Sequence, residues 1–529
     1  MTPNHILYTT QPAYKGTQCK VVKGKTEIAN SYQNYLMDES KLRGETPDKI
    51  YFPRTTAEVS QALTEINIRG EKVTVSGRRT GLVGGAVPID CSNLLSLESL
   101  FQEPNIYFDE CNKCWCVSVG AGTSMEYLHQ HLEKCNIVRK QKDWPPFFYP
   151  VDPTERSASI GGNAATNASG SRTFRYGSTR DWVAALTIVL SDGSTLAIKR
   201  GHKYAKGNSV SLIRQHAMQT ISLPVLSMPV TKNAAGYFLK ENMDLLDLFI
   251  AGEGTLGVIT ELDLKLCAPP QNQLCVYVFL SLRKCLDLVR LLKQQNELQL
   301  LAIEFMDDKS LNLLKAYRKE TGASSGVPLL TADSDSAVYV EIEYANDAVF
   351  EKVVELFDKL LHEVGISIDS TWAGSTTRDF DAMKRFRHAL PERINTIISE
   401  RKQQSPLIHK VAADTAVPDF ALKEALTHYQ STLRKTSLDY CIFGHIGNGH
   451  LHINILPEDN SDVEKGLELC ETFANLAVPL GGSVTAEHGI GKLKKNLLKI
   501  QYSEAKVAEM AEMKKSFDPF ESLNPGVLF

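Results

Sequence analysis

The sequence predicts an α+β protein of at least two domains, and three observations predict it. Its 529 residues exceed the roughly 250 to 300 at which a single core stops growing. Three segments built almost wholly of small residues punctuate the first half. From about 272 to 480, strand-like runs alternate with charged amphipathic helical patterns, which fits a mixed or antiparallel sheet with helices on one face.

Taken in order, residues 1–44 are polar and weakly periodic, and read as an N-terminal arm with one helix around Glu27 to Asp38. From Ile50 the pattern becomes a short strand, a cap at Thr55 or Thr56, an amphipathic helix, and the alternating strand KVTVSG, a β-α-β start. The first small-residue segment, Ser76 to Ala86 (SGRRTGLVGGA), follows that strand with four glycines and two arginines. Such a loop can nest an anion on successive backbone N–H groups, or be a plain glycine-rich turn. It is neither a P-loop nor a Rossmann fingerprint, and the strand-to-helix stretch Val117 to Glu126 has Met125 where a third glycine belongs, which argues against a nicotinamide site.

The second segment, Asp152 to Gly170, continues through YGSTRDWV into a strand over Ala185 to Leu190 and a Ser-Asp-Gly-Ser hairpin turn. The third, Phe249 to Thr260, enters the strand ELDLKLCAP and stops at Pro269-Pro270, a linker. These breaks give an arm at 1–44, a first domain at 45–270, a second at 271–480, and a C-terminal segment at 481–529 that returns to the first.

Composition narrows the function. With 43% hydrophobic and 23% charged residues the chain is not disordered, and 58 Lys+Arg against 62 Asp+Glu, without a basic stripe, leaves no nucleic-acid footprint. Eleven scattered cysteines suit a reducing cytosol. The Cys111, Cys114 and Cys116 group reads as packing, with metal ligation as the alternative. No targeting peptide opens the sequence and no apolar run nears the ~18 residues of a membrane span. The expected location is cytoplasmic, with a peripheral position at the inner face of a membrane left open.

Chemistry concentrates in Cys441 to Leu456, read as one strand. Its period of two puts His450, His452 and Asn454 on one face and Leu451, Ile453 and Ile455 on the other. A solvated edge strand is the bland account. Glu487-His488, in TAEHGIG, favours a metal site, because histidines with a carboxylate leave open positions for substrate.

The segments SGRRTGLVGGA, SIGGNAATNASG, YGSTRDWV, GEGTLGVIT, GHIGNGHLHIN, AEHGIGKLK and FDPFESLNPG, in this order, resemble the vanillyl-alcohol-oxidase (PCMH-type) flavoproteins. The branch is that of D-lactate dehydrogenase, D-2-hydroxyglutarate dehydrogenase and the glycolate oxidase flavin subunit, and the match spans about 45 to 529. The resemblance implies a two-subdomain FAD-binding domain plus an α+β cap. FAD phosphates would lie on Gly77, Arg78, Arg79, Thr80, Gly81, Gly84 and Gly85, with at least one arginine on phosphate. Gly161, Gly162, Asn163, Thr166 and Asn167 would hold the middle of the cofactor, and Gly254, Gly257, Val258 and Ile259 the adenine side. Asp152, Tyr176, Gly177, Glu253 and Asn524 complete the set. No histidine lies between His5 and His129, so the FAD is expected to be noncovalent.

By the same resemblance His445, His452 and Glu487 bind a divalent metal, commonly zinc, with manganese as the alternative. Asn448 and His450 stand where relatives usually carry Asp and Asn, which leaves another ligand set open. His488 would take the substrate hydroxyl proton, and Arg387, Lys410 and Asn454 would hold the carboxylate. The implied activity is oxidation of a D-2-hydroxy acid, most simply D-lactate, with electrons passed to a separate quinone, cytochrome, flavoprotein or iron–sulfur acceptor. D-2-hydroxyglutarate or glycolate as substrate, and the alkyl transfer of the ether-lipid synthase, are the alternatives, and a homodimer is left open.

Overall fold

A computed structural model describes residues 4–11, 19–139, 144–214, 217–330 and 335–529. The reading of residues 1–3 and 12–18 as part of an arm falls outside them. The rest of that stretch is not a free arm: Ile6–Tyr8 pairs parallel with Ser209–Arg214, and Lys20–Lys23 pairs antiparallel with Lys49–Phe52. Its helix is shorter than predicted, Lys25–Ser31, because Tyr32 leaves helical geometry before a single 3-10 turn at Gln33–Tyr35.

Two sheets frame the glycine-rich half. One has the order Lys20–Lys23, Lys49–Phe52, Asn93–Ser96, Val73–Ser76, the last two pairings being parallel. Helix Thr56–Ile68 opens where the sequence places its cap, with Thr55 accepting from the Glu58 N–H. The other sheet is antiparallel throughout: Asn105–Asp109, Cys114–Gly120, Val258–Lys265, Val183–Val189, Thr195–Lys199. Both feed one core, which also takes Leu498, Met510 and Phe517 from the last helices and Leu523 from the segment after them. The chain end is thereby packed back against the glycine loops.

The second half is a seven-stranded antiparallel sheet ordered Thr371–Gly374, Asn272–Leu280, Ser336–Tyr344, Gln299–Met306, Asp439–Gly444, His450–Leu456, Val411–Ala416. Helices cover both of its faces, not one. Asn272–Leu280 is apolar on alternate positions in both directions: Leu274, Val276 and Val278 join one core, Cys275 and Tyr277 another. The second face is sealed by Thr377–Arg401, whose Met383, Phe386, Leu390 and Ile394 are buried beneath a charged exterior. The predicted single strand over Cys441 to Leu456 is likewise two, paired antiparallel, because Gly449 in left-handed conformation closes a turn after the 3-10 segment Ile446–Asn448. A Cβ at Gly449 would lie 2.0 Å from the Val417 carbonyl, so only glycine fits that turn.

Candidate active site

The three small-residue segments converge on one cleft. Its walls include Gly77, Arg78, Arg79, Thr80, Gly81 and Gly85 from the first, Gly161, Gly162, Asn163 and Thr166 from the second, and Glu253, Gly254, Gly257, Val258 and Ile259 from the third, with Asn524 from the chain end. Glycine is needed where segments touch: a Cβ at Gly161 would sit 2.5 Å from that of Ala121, and one at Gly77 2.7 Å from Ser159 Oγ. At Gly81 and Gly85 it would make only ordinary contact, 3.9 Å from Asp38 Oδ2 and 3.7 Å from Glu253 Oε2. The buried Asn163 amide nitrogen has no hydrogen-bond partner. A cleft walled largely by small residues, with an unanswered buried amide donor, fits a dinucleotide.

Several residues expected on the cofactor have work elsewhere. Glu253 accepts from the Ile490 and Gly491 N–H groups, 2.8 Å each, clamping the segment after His488 onto the cleft. Burial raises its carboxyl to about 7 despite those two donors. Asn524 bridges the first and third segments, accepting from Val75 N at 2.6 Å and donating to the Glu253 carbonyl at 2.7 Å. Arg79 donates to Glu98 at 3.0 Å and stacks on Tyr35, while Arg78 Nε reaches the Gly122 carbonyl. Arg79, Asn167, Glu253 and Asn524 all hold positive φ, the strained backbone that clusters at functional sites.

Gly84, Asp152, Asn167, Tyr176 and Gly177 do not line the cleft. Gly84 packs toward Leu42 and Leu493, and Asn167 ties Arg180 N to the Asn233 carbonyl. Asp152 faces a separate cavity, and Tyr176 packs edge-on against Phe148 and Trp182.

Beside the cleft lies a buried cluster of imidazoles and carboxylates. His445, His450, His452 and Glu487 present ligand atoms all within 4.8 Å of one another. His445 Nε2 is 3.4 Å from Glu487 Oε1 and His452 Nε2 is 3.8 Å from Oε2. Each ring is oriented by a carboxylate on its other nitrogen: Glu304 on His445 Nδ1 at 2.6 Å, Asp414 on His452 Nδ1 at 3.2 Å. Carboxylate-backed imidazoles with free Nε2 atoms facing a third carboxylate are a metal-ligand arrangement. His450 is spent differently, with Nε2 on Asp414 at 2.7 Å and Nδ1 3.3 Å from Lys232 Nζ. Lys232 also pairs with Glu487, which accepts from Ser169 Oγ at 3.0 Å.

His488 joins cleft and cluster. It lines the cleft, its ring stacks on His452 with centroids 5.4 Å apart, and its Nδ1 is 3.5 Å from Asp414. Burial pushes it down to about 3, so at neutral pH it is an uncharged imidazole. Burial pushes His450 down to about 3 as well. Asp414 stays well below the ordinary carboxylate range against its own burial, because His488 and His450 lie beside it. It accepts also from Thr485 Oγ1 and from the backbone of Glu487 and His488, 2.8 to 3.0 Å away.

The three predicted carboxylate binders fare unequally. Asn454 is buried with its amide nitrogen unpartnered. Lys410 is half-buried, pairs with no carboxylate among the described residues, and is pushed down by burial. Arg387 is occupied: both Nε and a terminal nitrogen donate to Glu304 Oε2, at 3.0 and 2.8 Å, and the pairing with Arg387 and His445 overrides burial to hold Glu304 at about 2. Glu304, Asp414 and Lys232 escaped the sequence reading. A lone acid inside the apolar run LLAIEFM, and another inside VAADTAV, were signals for the first two; Lys232 carries none.

A family described as "FAD linked oxidases, C-terminal domain" matches residues 268–528, and one described as "FAD binding domain" matches 47–199. A D-2-hydroxyglutarate dehydrogenase of Xanthomonas citri pv. viticola is 29% identical over 96% of this chain and 94% of its own. A D-lactate dehydrogenase of Anaerostipes hadrus is 30% identical over 93% and 92%, and the glycolate oxidase subunit GlcD of Bacillus subtilis 27% over 94% and 92%. A solved alkyldihydroxyacetonephosphate synthase shares the fold, with a TM-score of 0.61 at 14% identity, covering 96% of this chain and 83% of that one. The chain belongs to the FAD-linked oxidases, in the branch of the 2-hydroxy acid dehydrogenases.

Proposed function

We propose that the chain oxidises a D-2-hydroxy acid to the 2-oxo acid with noncovalent FAD and a divalent metal, zinc or manganese, and hands the electrons to a separate acceptor. The observation that carries this reading is His488, which belongs at once to the glycine cleft and to the histidine–carboxylate cluster. FAD supplies a hydride acceptor, and a divalent ion supplies the charge that acidifies the substrate hydroxyl.

The residues divide the remaining work. His445, His452 and Glu487 would hold the metal, with Glu304 and Asp414 fixing the two rings. Lys410 and the unpartnered Asn454 amide would orient the substrate carboxylate, with Arg387 acting through Glu304. His488 takes the hydroxyl proton on Nε2 while Asp414 holds Nδ1. D-lactate contains every atom this machinery handles. An anaerobic titration of the purified yellow protein with D-lactate, L-lactate, glycolate and D-2-hydroxyglutarate tests the reading: a D-acid should bleach the flavin band. Chelator treatment should suppress that bleaching and Zn²⁺ or Mn²⁺ restore it; full reduction in metal-free protein would remove the triad from the mechanism.

A further inference from the structure

The cluster beside the cleft offers four ligand groups, and Lys232 touches two of them. His445, His450, His452 and Glu487 present ligand atoms within 4.8 Å of one another, the number of protein ligands found in a closed structural zinc site. His450 Nε2 lies 2.7 Å from Asp414 Oδ1, so Nδ1 is the atom this ring has left to give. That atom faces Lys232 Nζ at 3.3 Å. An ammonium only donates and a carboxylate accepts, so the ring carries its hydrogen on Nε2 and spends its Nδ1 lone pair on the lysine. Lys232 also pairs with Glu487 Oε1, the oxygen that stands 3.4 Å from His445 Nε2.

The backbone holds this lysine in place. Lys232 lies in the glycine-rich half, between strand Ala217–Ser222 and the 3-10 turn Leu245–Leu248, with its side chain 4% exposed. Its segment is tied to the one that bears Glu487: Asn233 Oδ1 accepts from Ser483 Oγ at 2.6 Å, and the Ala234 N–H donates to the Thr485 carbonyl at 2.9 Å. His450 comes from the cap, so one buried ammonium joins the two halves at the cluster. It neutralises the Glu487 carboxylate and takes up the His450 lone pair. Three ligands are left, the count at which catalytic sites keep a position for substrate.

We propose that Lys232 is a positioning residue that withholds His450 from the metal, so that His445, His452 and Glu487 alone hold the ion and one coordination position stays open for substrate. This rests on the proposed function. The test is the Zn²⁺ affinity of the FAD-loaded protein, by equilibrium dialysis against a competing chelator, in wild type, Lys232→Met, His450→Asn and the double variant. His450→Asn alone should bind Zn²⁺ within about threefold of wild type, because its Nδ1 is already committed. That comparison tests the inference even without a folded Lys232→Met. Lys232→Met should bind Zn²⁺ at least about tenfold tighter, and adding His450→Asn should remove most of the gain. Water-proton relaxation by bound Mn²⁺ should fall in Lys232→Met and recover in the double variant, as a position open to water is closed and reopened. A loss of about tenfold or more in His450→Asn would make that imidazole a ligand and overturn the inference. So would a Lys232→Met protein that binds Zn²⁺ no tighter, or a gain kept whole in the double variant; each of these leaves the dehydrogenase reading standing. Zn²⁺ bound by none of the four proteins overturns the metal reading, and the inference with it.

Discussion

The glycine cleft and the histidine cluster are neighbours built on opposite principles. The cleft is made of backbone: its segments touch at Gly77 and Gly161, where a side chain has no room, and few large groups intrude. The cluster is made of buried side chains, and its geometry depends on carboxylates that never face the cleft. Asp414 alone meets His450, His452 and His488, and Glu304 ties His445 to Arg387. A cofactor that must lie flat calls for missing side chains, whereas chemistry on a hydroxyl calls for groups whose lone pairs are already aimed.

If the two regions are separable in this way, each should break without the other. Asp414→Ala should have the largest effect, because it leaves three imidazoles without their common acceptor. We expect flavin reduction to fall about 100-fold and stability by roughly 3 kcal/mol, with FAD content unchanged; loss of FAD would show that the cluster also supports the cleft. Gly161→Ala should do the converse. Its Cβ would collide with Ala121, at a cost of roughly 1 to 3 kcal/mol, so FAD should bind about tenfold to a hundredfold more weakly. Equilibrium dialysis would measure this, and metal content should stay as in wild type.

A smaller effect sharpens the contrast by testing a buried carboxylate that has no imidazole. Asp307 caps helix Asp308–Thr321 through Ser310, and its other oxygen is unpartnered. Burial raises its carboxyl from an ordinary 3.8 to about 7. The folded state therefore holds a proton that the unfolded chain has released, so this residue costs stability progressively as pH rises from about 4 to 7. Asp307→Asn keeps the cap and removes the charge. It should stabilise the protein by roughly 1 to 2 kcal/mol at pH 8 and hardly at all at pH 4, by thermal denaturation; equal effects at both would mean the carboxyl is not raised.

The same contrast explains what could be read in advance. Cleft residues announce themselves because the demand for glycine is local and falls on consecutive positions. His445, His452, Glu487 and His488 were legible through two compact motifs. Asp414, Glu304 and Lys232 lie tens of residues or more from the groups they hold, and only strand pairing brings Asp414 opposite His452. The misjudged sheet coverage has a related cause. Helix Thr377–Arg401 is so heavily charged that its buried stripe, Met383 to Ile398, does not stand out from the pattern. Arg387 was picked out by the family resemblance alone, and its partner is Glu304, a choice made by the fold and not by the local sequence.

The central claim is that proton removal and flavin reduction meet at His488, and single-turnover reduction of His488→Ala by a D-2-hydroxy acid tests it most directly. The account predicts a yellow, metal-loaded protein whose flavin is reduced roughly 10² to 10⁴ times more slowly than in wild type. Reduction at the wild-type rate would contradict it.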